Sequence, residues 1–185
     1  LYVHAGVSYV NVRGFLNVEQ LEELHVEFGR EVDGFSSATV AFPEGKQKAR
    51  WYLCALRMDG DGLFFDFSAY DVQVAREDDP YDVALLVMDR LEHPVKLTSS
   101  ARNAFDAAMK RVLPALAREV MDRRDMGMFE RLADHGYLNR GNIDAIIEKS
   151  AAWREAEATA YLLEMKKARF DVADEPLDDD EDFSF

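Results

Sequence analysis

The chain has a single cysteine, Cys54, in 185 residues. No disulfide can form within it, and a lone thiol fits a reducing compartment. Long apolar runs are missing as well. Nothing approaches the roughly 20 consecutive apolar residues that a bilayer-spanning helix needs, so no membrane role is expected. The common signatures of chemistry are absent: no GxxxxGK[ST] or GxGxxG to cradle phosphate, no GxSxG elbow, no HExxH and no CxxC. Positive charge is scarce, with 22 Lys and Arg against 36 Asp and Glu and a net charge of −14. Nucleic-acid binding draws on counterion release by Lys and Arg, so a nucleic-acid partner is not expected either.

Part of that charge is concentrated at one end. Asp171, Asp174, Glu175, Asp178, Asp179, Asp180, Glu181 and Asp182 are eight acidic residues with no basic residue among them, and without them the balance is −6. Residues 171–185 are expected to form an acidic, disordered tail that ends in two aromatics, Phe183 and Phe185, suited to docking on a partner. The other end opens on Leu1-Tyr2-Val3 without a methionine, which is compatible with a longer native N-terminus and leaves a signal peptide undecided. Cytoplasm is the default location.

With 48% apolar and 31% charged residues, the composition is that of a soluble globular protein with one domain or two small ones. Residues 1–78 read as mainly β with one short helix. Val7, Tyr9, Val10 and Val12 supply strand-forming bulk. Asn17 is positioned to cap a helix with Leu21, Leu24 and Phe28 on one face, although His25-Val26-Glu27-Phe28 alternates as a strand does. Ser37 to Phe42 reads as a strand stopped by Pro43. Arg50 to Met58 and Leu63 to Tyr70 read as an antiparallel hairpin around Asp59-Gly60-Asp61-Gly62, with Leu63, Phe65 and Phe67 on one face.

Residues 79–170 read as helical. Asp79-Pro80 opens a helix that runs to about Glu92, where His93-Pro94 ends it. Ser99 or Ser100 caps the longest helix, and Pro114 is expected to kink or divide it. Three short helices follow, over MFERLADHG, NIDAIIEKSAAW and EAEATAYLLEMKK. Gly136 ends the first, Asn142 caps the second ahead of Ile143, Ile146 and Ile147, and Ala156, Ala160 and Leu163 form a stripe on the third. The fold class is therefore α+β, an N-terminal antiparallel sheet followed by a C-terminal helical stack.

Within those last helices the order of residues resembles ankyrin repeats, over about residues 126–168. Phe129 to Asn139 (FERLADHGYLN) is similar to the outer helix of that repeat with its glycine turn. Ser150 to Lys166 (SAAWREAEATAYLLEMK) resembles the two-helix core, including Leu162-Leu163-Glu164. The threonine-proline-leucine-histidine opening is missing, and Trp153-Arg154 stands where the family has asparagine-glycine. What the resemblance implies is a scaffold whose helix pairs stack on neighbours and bind proteins.

No residue stands out as catalytic or metal-binding. Counting twelve from Asp59 reaches Tyr70 where a calcium loop needs glutamate, so Asp59, Asp61 and Asp66 read as turn residues. His4, His25, His93 and His135 have no metal-ligand spacing. Cys54 lies among Trp51, Leu53 and Leu56 as an inert thiol does. The expectation is a non-catalytic protein-interaction module without a cofactor, with Trp153, Tyr161, Phe183 and Phe185 as the residues offered to a protein partner. An acidic immunity-type protein that covers a basic partner is the alternative, and an enzyme built from scattered residues is the third reading.

Overall fold

The computed structural model describes residues 2–5, 8–11, 23–43, 55–59 and 62–170. It divides into two compact units, Leu1–Tyr137 and Leu138–Phe185.

In the first unit, strands β1 (Tyr2–Ala5), β2 (Ser8–Asn11), β3 (Glu23–Val32) and β4 (Phe35–Ala41) form an antiparallel sheet in that order. Strands β5 (Leu56–Asp59) and β6 (Gly62–Phe65) form an antiparallel pair, with Asp59 opposite Gly62. The α+β class and the antiparallel sheet thus agree with expectation. Strand β3 corrects the helix expected around Leu24 and Phe28; its proposed cap, Asn17, and Leu21 lie outside the described residues. Leu24 and Val26 are buried while His25 between them is exposed, a period of two rather than 3.6. The deciding feature lies just beyond, at Asp33-Gly34. Both residues have positive φ, 53° and 85°, as the two central residues of a type I′ turn require. Val32 therefore pairs with Phe35 and β3 must run back along β4.

Strand β6 stops at Phe65 rather than continuing to Tyr70. Asp66 caps helix α1 (Phe67–Arg76), its carboxylate accepting the Ala69 N–H at 3.0 Å. This satisfies one of the free donors of the first turn. Phe67 and Tyr70 are thus helical core residues, both buried, and the part of the expected strand over 50–54 lies outside the described residues.

Helix α2 (Pro80–Glu92) keeps its expected bounds: the Asp79 carboxylate accepts from Tyr81 N and Asp82 N, both at 3.1 Å, and Pro80 sits in the first turn. Helix α3 (Ser99–Asp122) is capped by Thr98 and not by a serine; Ala101 N donates to Thr98 Oγ1 at 3.1 Å. Pro114 does not divide it. The proline is exposed while Val112, Leu116 and Ala117 on either side are buried, so the packed face holds the turns on both sides of the missing N–H. Helix α4 (Gly127–Asp134) completes the unit. Its core is formed by residues such as Val83, Leu86, Phe105, Met109, Leu116 and Phe129, all fully buried.

The second unit is a hairpin of α5 (Ile143–Ala152) and α6 (Ala156–Arg169), as expected. Helices α3, α4 and α5 all end with a left-handed residue, Arg124 (φ 55°), Gly136 (φ 78°) and Arg154 (φ 63°). At each, the following N–H returns to a carbonyl in the last turn: Asp125 to Val120, Tyr137 to Leu132, Glu155 to Ser150. This is the paired-bond helix terminus that usually carries glycine. Arg154 stands at the position where the ankyrin resemblance asks for that glycine.

A side chain with Cβ in the left-handed region costs about 1–2 kcal/mol, and glycine returns roughly half of the gain as backbone entropy. Arg154→Gly is therefore expected to stabilise the hairpin by about 0.5–1 kcal/mol. It should slow amide exchange in α5 and α6 by roughly two- to fivefold. Unchanged or faster exchange would show the terminus to be unstrained.

Candidate interaction surface

The hairpin is held from both ends. Ser150 Oγ and Thr159 Oγ1 lie 2.8 Å apart close to the turn. One hydroxyl donates to the other, and the one that accepts gives its own proton to its helix backbone; Ile147 O lies 2.8 Å from Ser150 Oγ and Glu155 O lies 2.8 Å from Thr159 Oγ1. At the open end Lys166 Nζ donates to Asp144 Oδ1 at 2.7 Å. These pairs fix the two helices antiparallel. Helix α5 buries Ile143, Ile146 and Ser150, and α6 buries Ala158, Leu162 and Met165. Asn142 precedes α5 without a side-chain cap; its Oδ1 instead accepts the Asn139 N–H at 2.8 Å.

The stripe Ala156, Ala160 and Leu163, whose small residues read as allowing close approach to a neighbour, is exposed. Ala158, Leu162 and Met165 follow the same i, i+4, i+7 spacing on the opposite side of the helix and are the line that is buried. Leu163 is 51% exposed and is, with Val72, one of two large apolar side chains that stand exposed among the described residues. Lys167 continues the outward stripe at i+11, and Glu157 and Glu164 flank it, all exposed. The outer face of α6 is thus apolar and small along its centre, with Glu157 and Glu164 on one flank and Lys167 at its far end.

Of the residues expected to meet a partner, Trp153 is the residue that ends α5 and Tyr161 lies in the second turn of α6; both are half-buried. Tyr161 borders the outer face, three residues from Glu164 and four from Glu157. Phe183 and Phe185 lie outside the described residues, as do the acidic tail and Cys54. Leu163 is the residue that sequence reasoning misassigned, since it reads as a packing position.

No protein-family model matches the chain, and no curated protein or solved structure matches it.

Elsewhere the polar groups serve the fold. Tyr70 and Asp89 grip the last residue of β4 from two helices. The Tyr70 hydroxyl donates to Ala41 O, and Ala41 N donates to Asp89 Oδ2 at 3.0 Å. Arg90, fully buried, donates through Nε to Asp71 Oδ1 at 2.7 Å and through Nη2 to Asp71 Oδ2 at 3.3 Å. It also donates to His93 O at 2.6 Å and Val95 O at 3.0 Å. Helices α1 and α3 flank a cleft of about 260 Å³ lined largely by Ser68, Val72, Arg76, Thr98, Ala101 and Ala104, with Asp71 beside them. Its one buried carboxylate is already engaged by Arg90, which leaves it a poor acid or base.

His25, His93 and His135 do not come together as a metal site. A His25 ring nitrogen lies 3.3 Å from Thr39 Oγ1, His93 Nδ1 lies 3.1 Å from Asp89 O, and His135 ends α4. Among the described residues no cluster of His, Cys, Asp and Glu suits a metal ion, and no helix is long and apolar enough to cross a membrane.

Burial pushes the Asp89 carboxyl above its usual value of 3.8, opposed by the Ala41 N–H and then by His93, Arg90 and Arg131. A carboxyl that binds its proton more readily folded than unfolded adds stability on acidification: the gain is complete below the unfolded value and is lost as pH rises through the raised one. The first unit should therefore gain from this group as pH falls from 7 towards 4. Asp89→Asn, which keeps an oxygen for the Ala41 N–H, should flatten that part of the profile. Urea midpoints at a series of pH values read the difference; parallel profiles for the two proteins would contradict it.

Proposed function

We propose that this chain is a non-catalytic protein-interaction module that docks a polypeptide on the outer face of α6. The observation that carries the reading is Leu163, half exposed on a helix face whose neighbours Ala156 and Ala160 are small enough to admit a close approach. Exposed apolar side chains set among small and charged ones are what interaction surfaces offer. The ankyrin-like order of residues supports the same reading, because a helix pair in a stack presents a face of this kind to whatever stacks next. Tyr161 at the border of the face and Trp153 at the hairpin turn are amphipathic aromatics of the sort that anchor partners.

The test places a photo-crosslinking amino acid at Glu164, on the flank of the face, in the cells that make the protein. The reading expects an adduct with a polypeptide that disappears when Leu163→Asp is added. If no polypeptide adduct forms, or if the adduct persists unchanged in the Leu163→Asp background, the face is not a docking surface.

A further inference from the structure

We draw no further inference here: the strongest candidate, the cleft between helix α1 and the start of α3 that Arg76 and Ser100 line, rests on a helix N-terminus, and its one buried polar side chain among the described residues, Asp71, is already held by Arg90.

Discussion

Arg90→Met is expected to destabilise the first unit by about 3–5 kcal/mol, a large share of the whole stability of an ordinary domain. Arg90 is fully buried and its guanidinium makes four hydrogen bonds, two to Asp71 and one each to the carbonyls of His93 and Val95. Its Cζ also lies 5.0 Å from the centre of the Phe67 ring. Methionine fills similar volume and meets the ring, but it leaves a carboxylate that is 4% exposed without its counterion and two carbonyls without their donor. Burial already pushes the Asp71 carboxyl up, against the pull of the Arg90 hydrogen bonds and charge, so loss of the arginine drives that group towards its neutral form. The double variant Asp71→Leu with Arg90→Met removes the stranded charge and should recover at least about 2 kcal/mol of the loss, as buried ion pairs replaced by apolar groups generally do. Urea unfolding followed by far-ultraviolet ellipticity reads both. A single variant that costs less than about 1 kcal/mol would mean that water reaches the pair, and the cleft between α1 and α3, which Asp71 lines, would be its route.

The parts of this fold that were legible in the sequence are those with local punctuation. Asp79-Pro80 announces α2, and Gly136 ends α4 with a backbone angle that favours glycine. The misread parts are those where two periods fit the same residues. Leu21, Leu24 and Phe28 suit a helix, while Leu24, Val26 and Phe28 suit a strand; the Asp33-Gly34 turn breaks the tie from beyond either window. Leu63, Phe65 and Phe67 alternate straight through the end of β6, and only the capping carboxylate of Asp66 marks the change. On α6 the lines Ala156-Ala160-Leu163 and Ala158-Leu162-Met165 have equal spacing, and the larger residues of the second take the interior. Periodicity identifies a helix face without saying which face meets the core. That ambiguity concealed the candidate surface, because Leu163 reads as a packing residue until its neighbours are in place. The Asp71–Arg90 pair had no sequence signal, since its partners are 19 residues apart on different helices.

Tyr70→Ala is expected to cost about 3–5 kcal/mol and Tyr70→Phe about 1–3 kcal/mol, and the gap between them separates packing from hydrogen bonding. The ring is fully buried, with its centre 5.5 Å from that of Phe65 and 6.1 Å from that of Phe42. Alanine leaves a cavity where β4, β6 and α1 converge. Phenylalanine keeps the packing and strands only the carbonyl of Ala41. Among the described residues that carbonyl lies at the outer edge of the sheet, since β4 has β3 on one side and no described strand on the other. Helix side chains thus do for Ala41 what a further strand would otherwise do, Tyr70 meeting its C=O and Asp89 its N–H. The two contacts share one residue, so their losses should not add. Tyr70→Phe combined with Asp89→Ala is expected to deviate from the sum of the single variants by about 0.5–3 kcal/mol. Amide exchange at Ala41 should rise sharply in Asp89→Ala and only modestly in Tyr70→Phe, because only the first removes its acceptor. Strict additivity, or equal exchange at Ala41 in both variants, would show that the end of β4 is held by the apolar core and not by these two side chains.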